Sequence, residues 1–285
     1  MKRAGGEQRA IGCGFAAALH SGLASLAGCS RRGLAERFDS TIGAGTVLLP
    51  FGGERQLTPE EGMAALIPTP GTQTTDACSL MTYGFDPDLS AHSPYHGATY
   101  AVIESLARIA ALGGDAARAR LTFQEYFRRL QSPDDWGQPL AALLGAFRTQ
   151  LACRTAAIGG KDSMSGSFKD LNVPPTLVSF AVATACASKI VSSILSAPGQ
   201  KLYLIRLARN NDALYKKEHV LRVFKAIAQM RERDQIMTAS VVRGSGVAVR
   251  VAQMCFGNKL GFRFDDSLGQ EMLFSITLGA VLLSV

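Results

Sequence analysis

The stretch SPYHGATYAVIESLARIAALGG, residues 93–114, restricts the fold more than any other part of the chain. Ser93 is placed to cap a helix whose first turn takes Pro94, because that turn leaves its N–H groups unpaired in any case. Gly113 supplies the matching stop. Between them Val102, Ile103, Leu106, Ile109 and Ala110 recur at helical spacing and make an apolar face. On the opposite face Gly97, Ala101, Glu104 and Arg108 project together. Two small residues beside a carboxylate leave room for a ligand. The same spacing also fits a solvated Glu–Arg pair worth only tenths of a kcal/mol.

Strand and helix patterns surround this helix. GTVLLPF (45–51) and DACSLMTYGF (76–85) are short strand candidates divided by turn signals. LTFQEYFRRL (121–130) reads as a short helical or loop segment, and WGQPLAALLGAFRTQLACR (136–154) as a helix. PPTLVSFAVAT (174–184) is a strand. After about Ser188 the order becomes strand, helix, strand, helix, strand, strand. The segments are QKLYLIRLA, KKEHVLRVFKAIAQMRER, IMTASVVRG, GVAVRVAQMCFG, KLGFRFD and GAVLLSV. Val220, Phe224, Ile227 and Met230 form the inward stripe of the first of those helices. The fold class is α+β, a mixed α/β chain with a second compact unit at its C-terminal end.

Twelve residues, AIGGKDSMSGSF (157–168), join the 136–154 helix to the 174–184 strand. They read as a glycine hinge carrying a cation, a carboxylate and hydroxyls. Glycines let backbone N–H groups converge on an anion. Lys161 suits a phosphate, Asp162 suits Mg²⁺, and Ser163 or Ser165 can donate to a phosphate oxygen. A polar loop whose glycines only satisfy a turn accounts for the same residues. The stretch is not a Walker A loop, because Thr155 stands where the first glycine is required and Asp162 where Ser or Thr is.

Composition narrows the partners. The formal net charge is +7 over 285 residues, but the cations are scattered rather than gathered into a run, which argues against a nucleic-acid partner. Six cysteines without a CxxC pair give no zinc or redox motif and read as reduced thiols of a cytoplasmic protein. AIGCGFAAALHSGLASLAG (10–28) superficially resembles a signal peptide. His20 and three glycines interrupt it, so residues 1–30 are taken as a poorly specified leader. No stretch reads as a membrane span.

Several blocks resemble one family. RGLAERFDSTIGAGTVLLPFGGERQLTPEEGMAALIP, the 93–114 helix, RLTFQEYFRRL, WGQPLAALLGA, IGGKDSMSGSFKDLNVPPTLVSFAVAT and MCFGNKLGF are similar, in order, to phosphoribosylformylglycinamidine synthase. This is a purine-pathway enzyme of the aminoimidazole ribonucleotide synthetase superfamily, and the likeness is to the clostridial single-chain form. The resemblance implies ATP- and glutamine-dependent amidation of formylglycinamide ribonucleotide to formylglycinamidine ribonucleotide, carried out by a carbon–nitrogen ligase. It implies an A domain over 31–187, a half-barrel sheet with helices, followed by a smaller, truncated α/β B domain over 188–285. These match the second of two A–B halves, so the chain resembles a fragment. Nucleotide (ATP/ADP) would meet Gly159, Gly160, Lys161, Ser163 and Ser165. Mg²⁺ would meet Glu104, Asp162 and Asp39. The partners implied are the absent synthase half with its glutaminase domain, or a second copy of this chain.

The sequence departs from that pattern in four places. No G-x-C-x-G glutaminase elbow is present. The first half, with its catalytic histidine, has no counterpart, and His96 reads as a capping or packing residue. Arg108 stands where many relatives have Asn, so a metal ligand is lost. In SVVRGSGVAVRVAQ, Arg243 replaces a small residue and Val249 a Glu. The alternative reading is a non-catalytic half that pairs with a separate synthase chain.

Overall fold

The computed structural model describes residues 14–38, 41, 43–71 and 73–285. Helix α1 (Phe15–Ala24) opens the described chain. It rests on a later helix, with Gly22 against Val249. Helix α2 (Arg32–Arg37) leads to the two-residue pair β1 (Phe51–Gly52) and β2 (Thr58–Pro59). Of GTVLLPF, only Phe51 falls in a strand, with Thr46 in an isolated bridge to Ala65.

Strands β3 (Met63–Leu66) and β4 (Ala77–Gly84) form an antiparallel pair. Helix α3 (Pro87–His92) then turns the chain into α4 (Pro94–Ala111). The ends of α4 are those the sequence dictates. The Ser93 side chain accepts from His96 N–H, and Gly113 takes φ +97°, a left-handed angle that side chains disfavour. His96 is a cap and tie: its ring bonds the Ser93 hydroxyl at 2.8 Å and the Asp212 carbonyl at 3.0 Å.

LTFQEY, the first part of LTFQEYFRRL, is a strand. Within β5 (Arg120–Tyr126) Leu121, Phe123 and Glu125 are buried in alternation, while Arg120 and Tyr126 are exposed. That is period 2, the signature of a half-buried strand. Helix α5 (Pro133–Cys153) follows, opened by a capping box in which Ser132 and Asp135 satisfy each other's backbone N–H groups. The chain returns as β6 (Ala157–Ser163), parallel to β5. The expected glycine hinge is therefore an edge strand. Its glycines admit close backbone approach: a Cβ on Gly160 would lie 2.6 Å from the Phe123 carbonyl oxygen. After the short hairpin β7 (Ser167–Phe168) and β8 (Leu171–Asn172), β9 (Thr176–Cys186) enters the centre of the sheet. The order is β3-β4-β9-β5-β6.

The C-terminal part adds β10 (Leu202–Ile205), α6 (Lys217–Glu232), β11 (Thr238–Val241), α7 (Gly246–Phe256), α8 (Gln270–Phe274) and β12 (Val281–Ser284). Its antiparallel sheet has the order β10-β12-β11. Val220, Phe224 and Ile227 of α6 are buried as the pattern requires, with Met230 half-buried. KLGFRFD forms no strand. Leu260, Phe262 and Phe264 pack instead against the smaller apolar core around Val247, Val251 and Met254, and Phe264 meets Phe15 at 5.9 Å between ring centres.

Helix α4 lies between the two sheets and contacts β4, β9 and β11. Its apolar residues join one core that runs from Leu80 and Leu121 to Val281 and Leu283. Each fully buried Leu, Ile or Val there contributes roughly 1.5–3 kcal/mol relative to exposure. No described helix is long and apolar enough to cross a membrane. The five described cysteines, Cys29, Cys78, Cys153, Cys186 and Cys255, are free thiols.

Candidate functional site

Strand β6 sets the positions of the hinge residues. Lys161 and Asp162 are both exposed, and strand alternation sends them to opposite faces of the sheet. Lys161 pairs in register with Gln124 and sits 5.8 Å from the Tyr126 ring centre. Asp162 pairs with Glu125, which is buried. Burial, then the Asp162 charge, pushes the Glu125 carboxyl up to about 7. The Ser163 and Ser165 hydroxyls lie 3.1 Å apart beyond them. Gly159 has open space where a side chain would stand.

Glu104 belongs to a different cluster. Its carbon Cβ approaches the Cα side of Gly84 on β4, and two strands separate β4 from β6. Three spacings of ~4.8 Å put these strands about 14 Å apart, so Glu104 and Asp162 form two acidic positions rather than one pair. Asp39 lies outside the described residues.

The Glu104–Arg108 pair is not solvated: the residues are 5% and 2% exposed. Their charges are 3.9 Å apart. The centre of the cluster is Glu61, whose carboxylate meets Arg250 at 2.6 Å, Arg243 at 3.1 Å and Arg108 at 3.1 Å. It also accepts from the Ser240 hydroxyl at 2.8 Å and Val241 N–H at 3.0 Å. Burial works against ionisation of Glu61, but Arg250, Arg243 and Arg108 outweigh it and hold the carboxyl well below the usual range. Glu104 goes the other way. Burial pushes it up to about 7 against the pull of Arg108 and Arg243. Arg108 also donates to the Glu61 and Tyr83 carbonyls at 2.8 and 2.6 Å and stacks 4.2 Å from the Tyr83 ring centre.

A cavity of about 520 Å³ opens beside this cluster, between the segment from Ala27 to Met63 and the start and end of α7. Arg31, Arg108 and Arg243 are in its wall, with Ser245 at the N-terminus of α7. Leu48, Phe51, Leu57 and Phe256 give it an apolar side.

Mg²⁺ does not fit at Glu104. The nearest charged groups there include two guanidiniums, and a divalent cation beside them meets repulsion. Among the described residues no three His, Cys, Asp or Glu side chains group as metal ligands. The Glu125–Asp162 pair is the better donor set, two adjacent carboxylates whose mutual repulsion a cation would relieve. Sequence reasoning missed Glu125, because LTFQEY was read as loop or helix, and it missed Glu61, Arg250 and Tyr83 altogether. Period-2 alternation could have found Glu125. Glu61 follows another Glu after a proline in LTPEEG, and nothing local distinguishes it from a solvated turn residue.

No protein-family model matches the sequence, and no curated protein matches it. Solved structures do. PurLQS from Thermotoga maritima is similar over 90% of this chain and 38% of its own, with a TM-score of 0.64 and 17% identity. Phosphoribosylformylglycinamidine synthase II from the same organism is similar over 89% of this chain and 37% of its own, with a TM-score of 0.61 and 18% identity. AaThiL complexed with AMPPCP and TMP is similar over 79% of this chain and 78% of its own, with a TM-score of 0.50 and 10% identity. Other T. maritima PurL structures in the same set are complexed with ATP, ADP or FGAR. The chain spans about 38% of the PurL length it matches. At such identities the likeness is one of fold, and the fold is the aminoimidazole ribonucleotide synthetase-like α+β fold that PurL and ThiL share.

Proposed function

We propose that this chain serves as a segment of a phosphoribosylformylglycinamidine synthase-like ligase and binds ATP or ADP along β6. The observation that carries the reading is the fold match over 90% of the chain to a protein solved with both nucleotides. Residues 31–187 are the nucleotide-binding part and 188–285 its smaller companion. Gly160 N–H, on the unpaired side of β6, donates to phosphate oxygens together with the Ser163 and Ser165 hydroxyls, and Gly159 leaves open space beside it. Lys161, on the other face of the sheet, supplies positive potential rather than a shared contact with Asp162. Asp162 and Glu125 would hold Mg²⁺, which neutralises phosphate charge when bound. Ammonia supply and the remaining catalytic groups belong to partner chains or domains.

Thermal denaturation with ATP, with and without Mg²⁺, tests this reading. The expected result is a rise in Tm that needs both, and that Asp162→Ala abolishes. An absent shift, or one unchanged by Asp162→Ala, overturns it. The second reading, a non-catalytic half that pairs with a synthase chain or a second copy, is favoured by one feature. β6 is an edge strand, and Met81 and Tyr126 are exposed on the sheet.

A further inference from the structure

We propose that the cavity walled by Arg31, Arg108 and Arg243 is a seat for an oxyanion, phosphate or carboxylate, that binds these guanidiniums directly and without a divalent cation. It is separate from β6 and does not depend on the nucleotide reading there.

Charge balance is the first support. Among the described residues three arginines line the cavity with one carboxylate, Glu60. Glu60 is already engaged, accepting from the Ser192 hydroxyl at 2.5 Å and Ser193 N–H at 2.8 Å. Glu61 does not cancel the wall, since five donors share its single charge. One of them, Arg250, lies deep and is 1% exposed. Arg243 keeps spare capacity. It spends Nη2 on Glu61, its Nε is enclosed without a partner, and its side chain is 19% exposed. Arg31 gives Nη2 to the Leu26 carbonyl and has no carboxylate partner among the described residues.

Backbone geometry is the second support. α7 is eleven residues long, and its N-cap Ser245 makes no side-chain cap. Ser245 lines the same cavity, so the positive end of the helix is presented beside the arginines. Tyr83 reports the resulting potential. Burial alone would raise its phenol, yet Arg108, Arg243 and Arg31 together hold it below its ordinary value. The apolar side at Phe51, Leu57 and Phe256 suits the body of an organic anion whose head meets the arginines.

Isothermal titration of the whole chain, freed of metal on a chelating resin, tests the seat, with orthophosphate and, separately, malonate as probes. Binding of either supports it, and which one binds identifies the source of the oxyanion. Arg243→Gln is expected to weaken binding tenfold or more, the usual scale for a lost charge-assisted contact. Arg31→Gln, at the exposed rim and outside the Glu61 cluster, is expected to weaken it severalfold. Arg263→Gln, on an exposed side chain outside the cavity wall, is expected to leave it unchanged. No binding of either probe to the metal-free chain overturns the proposal. So does wild-type affinity in Arg31→Gln, which decides the matter if Arg243→Gln does not fold. A Mg²⁺-dependent ATP shift beside a silent titration of the metal-free chain sinks the seat alone. Phosphate binding by the metal-free chain without an ATP shift sinks the β6 reading alone.

Discussion

At the residue scale, the opposed behaviour of two buried glutamates has a measurable consequence. Glu61 is ionised because three guanidiniums surround it. Glu125 has only burial and the Asp162 charge acting on it, and both push its carboxyl from 4.5 to about 7. In the unfolded chain it titrates near the ordinary value, so the folded state holds the extra proton between pH 4.5 and 7. The contribution of this group to stability is therefore full below about pH 4.5 and is lost as pH rises through 7. Glu125→Gln is expected to raise Tm at pH 8 and to flatten the fall in stability from pH 5 to 8. The flattening is partial, because Glu104, also held at about 7, acts with the same sign. A pH series of melting curves reads both effects, and a Tm at pH 8 below that of the parent contradicts the assignment.

At the scale of elements, the site depends on how closely α4 approaches β4. A Cβ on Gly84 would lie 2.1 Å from the Ala101 carbonyl oxygen and 2.8 Å from Ser105 N, both backbone atoms that cannot swing aside. The contact is fixed further by the Thr82 hydroxyl on the Ser105 carbonyl at 2.7 Å and by the Ser105–Ser179 hydroxyl pair at 2.9 Å. Gly84→Ala is expected to cost roughly 1–3 kcal/mol or more, the range for overpacking a dense contact. It should also weaken oxyanion binding, because the helix carries Arg108. Chemical denaturation measures the first effect. A variant as stable as the parent would mean that the helix can withdraw freely, contrary to this packing.

At the scale of the whole molecule, the large sheet is covered by helices on one side and ends in the bare edge β6. Met81, Tyr83 and Tyr126 are each about two-fifths exposed. Unpaired strand edges and apolar sheet surface promote association. Purified chain is expected to dimerise or aggregate as its concentration rises, and Met81→Lys with Tyr126→Lys to reduce that. Light scattering across a concentration series is the measurement. A monomer at every concentration removes the support for pairing through this face.

Local sequence determined a good deal. The cap at Ser93, the stop at Gly113, the α6 stripe through Val220, Phe224 and Ile227, and strands β9 and β12 all follow from short-range sterics and periodicity, which act within a few residues. Tertiary structure alone decided the rest. GGKDS is a strand because β5 offered it a parallel partner, and KLGFRFD is not one because its aromatics are satisfied by packing. Glu104 and Arg108, an ordinary surface pair by spacing, became part of a buried charge cluster when Glu61, Arg243 and Arg250 arrived from positions about 45 to 145 residues away. Coulomb interaction depends on distance in space and on the surrounding dielectric, and neither is written in the order of residues along a chain.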